Sequence, residues 1–370
     1  MKDIGGIDPQ LKSIAKKIPY NRLMIKLAKP YQTLALKGTK LLEGVACRRI
    51  LLKENGRNLP VDIYEPAAAT EQLPCLLMIH GGAFSYKASA YHKKLACLYA
   101  AEVRCRVIFP DYPLLPEYPY PAAYEACLAT LRWGIEHAQT LRIDPTRIGI
   151  AGDSAGATLA ATLCNSTAAE ALPFPCAQML IYPAVDAAMS TPSMARYTDT
   201  PLWNSRSNQK MWKLYLRKAD SALIKKASPM HNTLPDKIPP TYMETAEFDC
   251  LHDEGVLYAK KLREAGANVE LNETKGTIHG YDSALQTQIV KTQIAKRIAF
   301  LKKCFSCKKR NADRVACGGD FQRKDMENKS PQIKKGLFPQ RNQPLFSFLK
   351  PPLQLISPLL IGYELSAGLI

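Results

Sequence analysis

The tightest constraint on this chain lies at residues 148–156. Ile148-Gly149-Ile150-Ala151 reads as a buried strand and Ala155–Ser166 as an Ala-rich helix, with Gly152-Asp153-Ser154 between them. A strand that turns into a helix this abruptly strains the residue at the turn, and a bulky side chain two positions away on either side would collide with the strand or the helix. Gly152 and Gly156 remove both collisions. A turn of this kind needs a sheet whose strands are separated by helices, which narrows the fold class to α/β.

The rest of the chain from residue 47 fits that pattern. Arg48–Leu52, Val61–Tyr64, Cys75–His80, Arg106–Pro110, Arg147–Ala151, Ala177–Tyr182, Thr241–Ala246 and Asn268–Glu273 read as strands. Helices are expected over 91–103, 122–138, 155–166, 254–265 and 287–304. The expectation is a mostly parallel central sheet with helices on both faces. Residues 186–228 break the rhythm with helical, Trp- and Tyr-bearing sequence too long for a simple loop, and read as a cap insertion. Residues 1–45 read as short basic amphipathic helices punctuated by Pro9, Pro19 and Pro30, with Leu11, Ile14, Ala15 and Ile18 and then Leu23, Leu27 and Leu34 at helical spacing. These apolar faces are expected to pack on the rest of the protein rather than on a membrane surface. The catalytic domain is placed at 46–302. Residues 303–370 are aperiodic and basic and read as a disordered tail; the apolar stretch that ends it has no physical account.

Composition excludes several function classes. The formal charge of +17 invites a nucleic-acid or anionic-membrane partner. Much of it sits at the ends, with 12 Lys/Arg against 5 Asp/Glu from Lys303 onward, and no recognised nucleic-acid motif accompanies it. The eleven cysteines are an odd number, mostly scattered among apolar neighbours, as small buried hydrophobes in a reducing cytoplasmic compartment would be. Cys304, Cys307 and Cys317 make one C-x-x-C cluster without a second pair or a following His, so no metal is expected. The N-terminus lacks the apolar core of a signal peptide, and prolines cut Leu345–Ile370 short of the ~20 residues a spanning helix needs.

Three separated motifs carry chemistry. Ser154 sits at the strained turn, where the N-terminus of the following helix favours developing negative charge and the Ala155 amide can donate to an oxyanion. His80-Gly81-Gly82-Ala83-Phe84 follows an apolar strand 70 residues upstream of the Ser154 turn; Gly81 and Gly82 offer amides that no side chain shields. A serine hydroxyl needs an imidazole to take its proton and an acid to orient that imidazole, in the chain order Ser, acid, His. His279, in Gly276-Thr277-Ile278-His279-Gly280-Tyr281, is the first choice over His231 and His252. Asp249, at the end of the run from Thr241, is the first choice of acid, with Glu247 and Asp253 as rivals; Asp253 is expected to cap or begin the helix from Glu254. Chemistry of this kind needs no cofactor.

Together these residues resemble the hormone-sensitive-lipase-like family of α/β-hydrolases, over about residues 45–302. His80-Gly81-Gly82 is similar to the family's H-G-G-G motif, with Ala83 in the place of the third Gly, and Gly152-Asp153-Ser154-Ala155-Gly156 matches its nucleophile motif, followed by Ala157 where another Gly is frequent. Asp249-Cys250-Leu251-His252-Asp253-Glu254 looks like its D-x-L-R-D-E run, with His252 in the Arg place, and Asp111–Glu117 with Tyr120–Ala123 is similar to its Y-R-L-A-P-E…P-A-A segment. The resemblance implies an α/β-hydrolase fold with a helical cap, and a serine carboxylesterase cutting short-chain carboxylic esters through an acyl-enzyme. Trp203, Trp212, Tyr215 and Phe84 would then line a pocket for the acyl or alcohol group. A non-catalytic small-molecule receptor on the same fold, or an amidase or deacetylase, are the alternatives. The expected partner is a small ester, with a homodimer left open.

Overall fold

The computed structural model describes residues 5–306. Eight strands form one sheet: β1 (Val45–Glu54), β2 (Arg57–Pro66), β3 (Leu73–Ile79), β4 (Arg106–Pro110), β5 (Ile143–Asp153), β6 (Ala177–Ile181), β7 (Thr241–Phe248) and β8 (Val269–Ile278). Their order is β1-β2-β4-β3-β5-β6-β7-β8. β2 runs antiparallel to both β1 and β4, and every other neighbouring pair is parallel. The helices are α1 (Arg22–Gly38), α2 (Ala90–Leu98), α3 (Ala122–Glu136), α4 (Ala155–Ser166), α5 (Pro192–Arg196), α6 (Ser205–Tyr215), α7 (Ser221–Ala227), α8 (His252–Glu264) and α9 (Gln288–Ser306).

The central strands are buried on both sides because consecutive side chains point to opposite faces. On β3, Cys75, Leu77 and Ile79 join a core with Leu131 of α3, Leu159 of α4 and Leu262 of α8. Leu76 and Met78 point the other way, into a core with Leu95 of α2 and Phe300 of α9. Two apolar layers around one sheet explain why the β3 sequence is continuously apolar rather than alternating.

Several expected boundaries move. β8 extends five residues past Glu273, to Ile278. It is an edge strand with one partner, so Glu270, Glu273 and Lys275 can face solvent while the strand still pairs with β7. Residues 91–103 are not one regular α-helix: α2 gives way at Tyr99 to π-helical turns that end at Arg104. α8 begins at His252, and Leu251 rather than Asp253 occupies its cap position. α9 runs to Ser306 with Cys304 and Phe305 buried, so residues 303–306 belong to the helix and not to a tail. The tail expectation for 307–370, with Cys307, Cys317 and the apolar end, lies outside the described residues.

The N-terminal segment departs most from expectation. Residues 9–15 make a 3₁₀ turn and further turns rather than a helix, although Leu11 and Ile14 are buried as predicted. Pro30 does not end a helix; it lies inside α1 on an exposed position, where water can reach the carbonyl its missing N–H leaves free. The buried residues of α1 are Ile25 and Ala28, whereas Leu23, Leu27 and Leu34 point outward.

Candidate active site

Parallel strands deliver their carboxyl ends to one edge of the sheet, and the loops leaving β3, β5, β7 and β8 meet there. β5 ends at Asp153, and Ser154 holds φ 53° and ψ −122°, a conformation that non-glycine residues avoid. Its amide is held by the carbonyl of Ile181 at 2.8 Å. A Cβ on Gly152 would lie 2.3 Å from the Gly156 carbonyl oxygen, and a Cβ on Gly156 would lie 2.1 Å from that of Ile79. Both glycines are therefore required by backbone contact, as the sequence predicted.

β7 and β8 bring the other two groups to this turn. The Ser154 Oγ is 2.9 Å from His279 Nε2, and His279 Nδ1 is 2.7 Å from Asp249 Oδ2. Asp249 is buried and its second oxygen accepts the Leu251 amide at 3.0 Å. A carboxylate can only accept, so His279 donates from Nδ1 and presents Nε2 as acceptor for the serine proton. The rivals are engaged elsewhere. Glu247 accepts the Gly276 amide at 2.8 Å, and Asp253 accepts the Ser193 amide at 2.7 Å in the first turn of α5. His231 bonds Asp186 and His252 bonds Asp253, so neither reaches Ser154.

The oxyanion loop corrects one expectation. Gly81 is not free to donate to a substrate, because its amide bonds Asp153 Oδ1 at 3.0 Å. Asp153 Oδ2 is 3.1 Å from His92 Nε2, and His92 Nδ1 in turn accepts the Ser89 amide at 2.9 Å, which leaves Nε2 as the protonated nitrogen. Burial pushes the Asp153 carboxyl up, but His92 and the Gly81 amide outweigh burial and hold it below its usual range. Asp153, the residue before Ser154, thus ties the His80–Ala83 loop to the turn at Ser154. Gly82 and Ala83 carry the next two amides, and neither is hydrogen-bonded among the described residues. Ala155 is the first residue of α4, where amides lack an intrahelical acceptor. The donor set available to an oxyanion is Gly82, Ala83 and Ala155. Ala83 holds φ 54°, which is why glycine suits this place, yet its amide is retained. His80 is buried, stacked on Tyr112 at 4.4 Å, and pushed down to about 4 chiefly by burial; it supports the loop as a neutral ring.

The cavity at Ser154 has a volume of about 140 Å³, and its walls include Tyr86, Met24, Trp203, Tyr182, His279 and Gly82. Of the four aromatics expected to line a pocket, only Trp203 does so. Phe84, with φ 52°, turns into the body of the protein and stacks on Tyr215 at 3.8 Å, with Trp212 6.3 Å away. These three are buried packing residues that join α6 to the oxyanion loop. Met24 and Tyr86 had no sequence signal, because neither lies in a chemical motif.

Two further carboxylates are fully buried in the same domain. Glu254 accepts the Val185 and Asp186 amides at 2.7 and 3.2 Å through one oxygen, while its other oxygen has no partner among the described residues. Burial raises its pKa well above the usual value. The folded state therefore binds a proton that the unfolded chain has released once pH exceeds about 4.5. The resulting stability is full below that pH and is lost as pH rises toward the folded pKa. Glu254→Gln should remove this slope, so that between pH 5 and 8 the variant gains on wild type by up to about 1.4 kcal/mol per pH unit in urea melts. The second carboxylate, Asp282, accepts the Tyr182 hydroxyl at 2.9 Å and two bonds from Arg297 at 2.9 and 3.0 Å. The Tyr182 ring lies 4.7 Å from that of His279.

With this geometry in view, known proteins place the chain. The profile of a family described as alpha/beta hydrolase fold matches residues 76–283. Carboxylesterase NlhH of Mycobacterium tuberculosis is 34% identical over 227 residues, covering 60% of this chain and 71% of the relative. Ethyl acetate hydrolase of Pseudomonas putida is 33% identical over 62% of this chain and 74% of its own length. Among solved structures, esterase LipW of Mycobacterium marinum superposes with a TM-score of 0.77 at 28% identity, covering 82% of this chain and 98% of its own. A bacterial heroin esterase gives 0.75 at 30% identity, covering 81% and 98%. The chain belongs to the α/β-hydrolase fold family, in its hormone-sensitive-lipase-like branch.

Proposed function

We propose that this protein hydrolyses short-chain carboxylic esters through an acyl intermediate on Ser154. It is a carboxylic ester hydrolase; the substrate size and the residue roles are our reading. His279 would take the serine proton as the hydroxyl attacks the ester carbonyl, and Asp249 would hold the ring and stabilise its protonated form. The Gly82, Ala83 and Ala155 amides would receive the negative charge that develops on the carbonyl oxygen. His279 then gives its proton to the leaving alcohol, takes one from a water that attacks the acyl-serine, and passes it to the Ser154 oxygen as the free acid leaves.

The observation that carries the size preference is the cavity volume of about 140 Å³, close to that of an engineered cavity that holds one benzene. A short acyl chain is seated whole in such a space, whereas a long one must extend beyond it. Residues 1–45 and the 186–228 insertion, with α1 and Trp203 contributing to the cavity wall, act in this reading as a cap over the catalytic domain. The nine free cysteines of the described residues fit a reducing cytoplasmic setting. Among those residues no helix is long and apolar enough to cross a membrane. A small ester remains the expected partner, with nucleic acid not expected and a homodimer a matter for size-exclusion measurement.

The test is a panel of p-nitrophenyl esters graded by acyl length. We expect kcat/KM to be highest for acetate to butyrate and to fall by roughly 100-fold or more at palmitate, since a chain that overfills the cavity must displace its walls at a cost of about 1–3 kcal/mol. Equal or rising kcat/KM toward palmitate would reject the short-chain reading.

A further inference from the structure

Helix α1 has two apolar faces, and only one of them is used by the fold. Ile25 and Ala28 are buried against the body of the protein, and Met24, Ala28 and Gln32 border the catalytic cavity. The helix is fastened on that side: Lys29 Nζ donates to the Leu115 carbonyl at 2.9 Å and pairs with Glu117 at 2.7 Å, and Gln32 accepts the Lys87 amide at 3.0 Å. At about 100° per residue, Leu23, Leu27 and Leu34 fall within an arc of about 40° on the side opposite Ile25 and Gln32. They are 65%, 51% and 71% exposed. Three leucines aligned this way are a stripe rather than scattered surface residues, and nothing in the fold of the described residues covers them.

The charges around the stripe say what fits it. From Pro9 to Leu42 the sequence has eight Lys or Arg and no Asp or Glu. Lys37, Lys26 and Arg22 line one edge of the stripe on α1; none of the three is bound to a carboxylate among the described residues. An apolar ridge edged by unpaired cations suits a surface that is negatively charged outside and apolar beneath. A helix of this kind lies in the plane of an anionic bilayer, its leucines among the upper acyl carbons and its cations at the headgroups. A second copy of this chain would bring the same cations face to face and repel.

We propose that the outer face of α1 docks this protein on anionic phospholipid surfaces, with the cavity-bordering face of the same helix turned toward the site. The docking is peripheral and involves no spanning segment. It is independent of which ester is cleaved, because the leucine stripe takes no part in the catalytic geometry.

The test is co-flotation of the full chain with vesicles of phosphatidylcholine alone and of phosphatidylcholine mixed with phosphatidylglycerol. The expected result is flotation with the anionic vesicles, weakened by salt, and little with the neutral ones. Leu23→Ser/Leu27→Ser/Leu34→Ser should weaken it by roughly tenfold or more, and Lys26→Gln/Lys37→Gln should lower the preference for the anionic vesicles. Both variants should keep the wild-type melting temperature and wild-type hydrolysis of soluble p-nitrophenyl butyrate. The proposal is overturned if the wild type does not float, or if the triple variant floats as well as wild type, which would place binding elsewhere, in residues 307–370 for example. It is equally overturned if the wild type is a dimer that the triple variant dissolves without any vesicle binding.

Discussion

Ser154→Ala is expected to lower kcat for p-nitrophenyl butyrate by a factor on the order of 10⁴ to 10⁶, about 5 to 8 kcal/mol of transition-state stabilisation, while KM changes little. The alanine keeps the backbone turn, the Gly82, Ala83 and Ala155 amides and the cavity, so the substrate still binds. What disappears is the oxygen 2.9 Å from His279 Nε2 that would form the proposed acyl intermediate. His279 and Asp249 then face each other with nothing to activate, and removing either of them as well should cost little more, because the three act as a unit. Circular dichroism and melting temperature should match wild type. A paired experiment with a fluorophosphonate should label wild type at Ser154 and leave the variant unlabelled. Wild-type turnover in the variant would remove Ser154 from the mechanism.

The second large effect is structural. Arg297→Met is expected to destabilise the protein by about 3 to 5 kcal/mol in urea melts, because it leaves buried carboxylates without their cation. Arg297 lies inside α9, 1% exposed, and its guanidinium bonds Glu244 of β7, Asp282 after His279, and the Tyr281 hydroxyl. Burial pushes the carboxyl of Glu244 up, but Arg297 and the hydroxyls of Tyr281 and Tyr242 outweigh it and hold it below its usual range. Burial also works against Asp282, whose pKa stays raised even with Arg297 in place. Without the arginine both should take up protons at neutral pH or pull water into the core. Since Asp282 also holds Tyr182 against the His279 ring, the variant should lose activity more steeply on warming than its melting curve alone predicts. A stability change below 1 kcal/mol would mean that the carboxylates find other partners.

These two residues mark the boundary of what was legible in the amino-acid order. Ser154 was legible because its strained turn forbids side chains at 152 and 156, and that prohibition is written in the sequence as glycine. His279 was legible by elimination among the three histidines after the turn, and Asp249 by its place at a strand end. Arg297 was not, since Ala295-Lys296-Arg297-Ile298 on a closing amphipathic helix reads as a solvated position. Its burial follows from α9 crossing β6 and β7, and no local pattern reports that crossing.

The sequence by itself determined the alternation of strands and helices and the strained turn at Ser154, and it ranked His279 and Asp249 first among the groups that could meet there. Each of these rests on a local rule: side-chain periodicity, a backbone clash, or chain order. Tertiary structure alone decided which amide of the oxyanion loop stays free, because Gly81 is taken by a carboxylate 72 residues away. It also decided that Phe84, Trp212 and Tyr215 pack on one another while Met24 and Tyr86 border the cavity. Finally, it decided which side of α1 faces inward. Helical spacing reveals that a face is apolar but carries no information about direction, which is set by contacts made far along the chain.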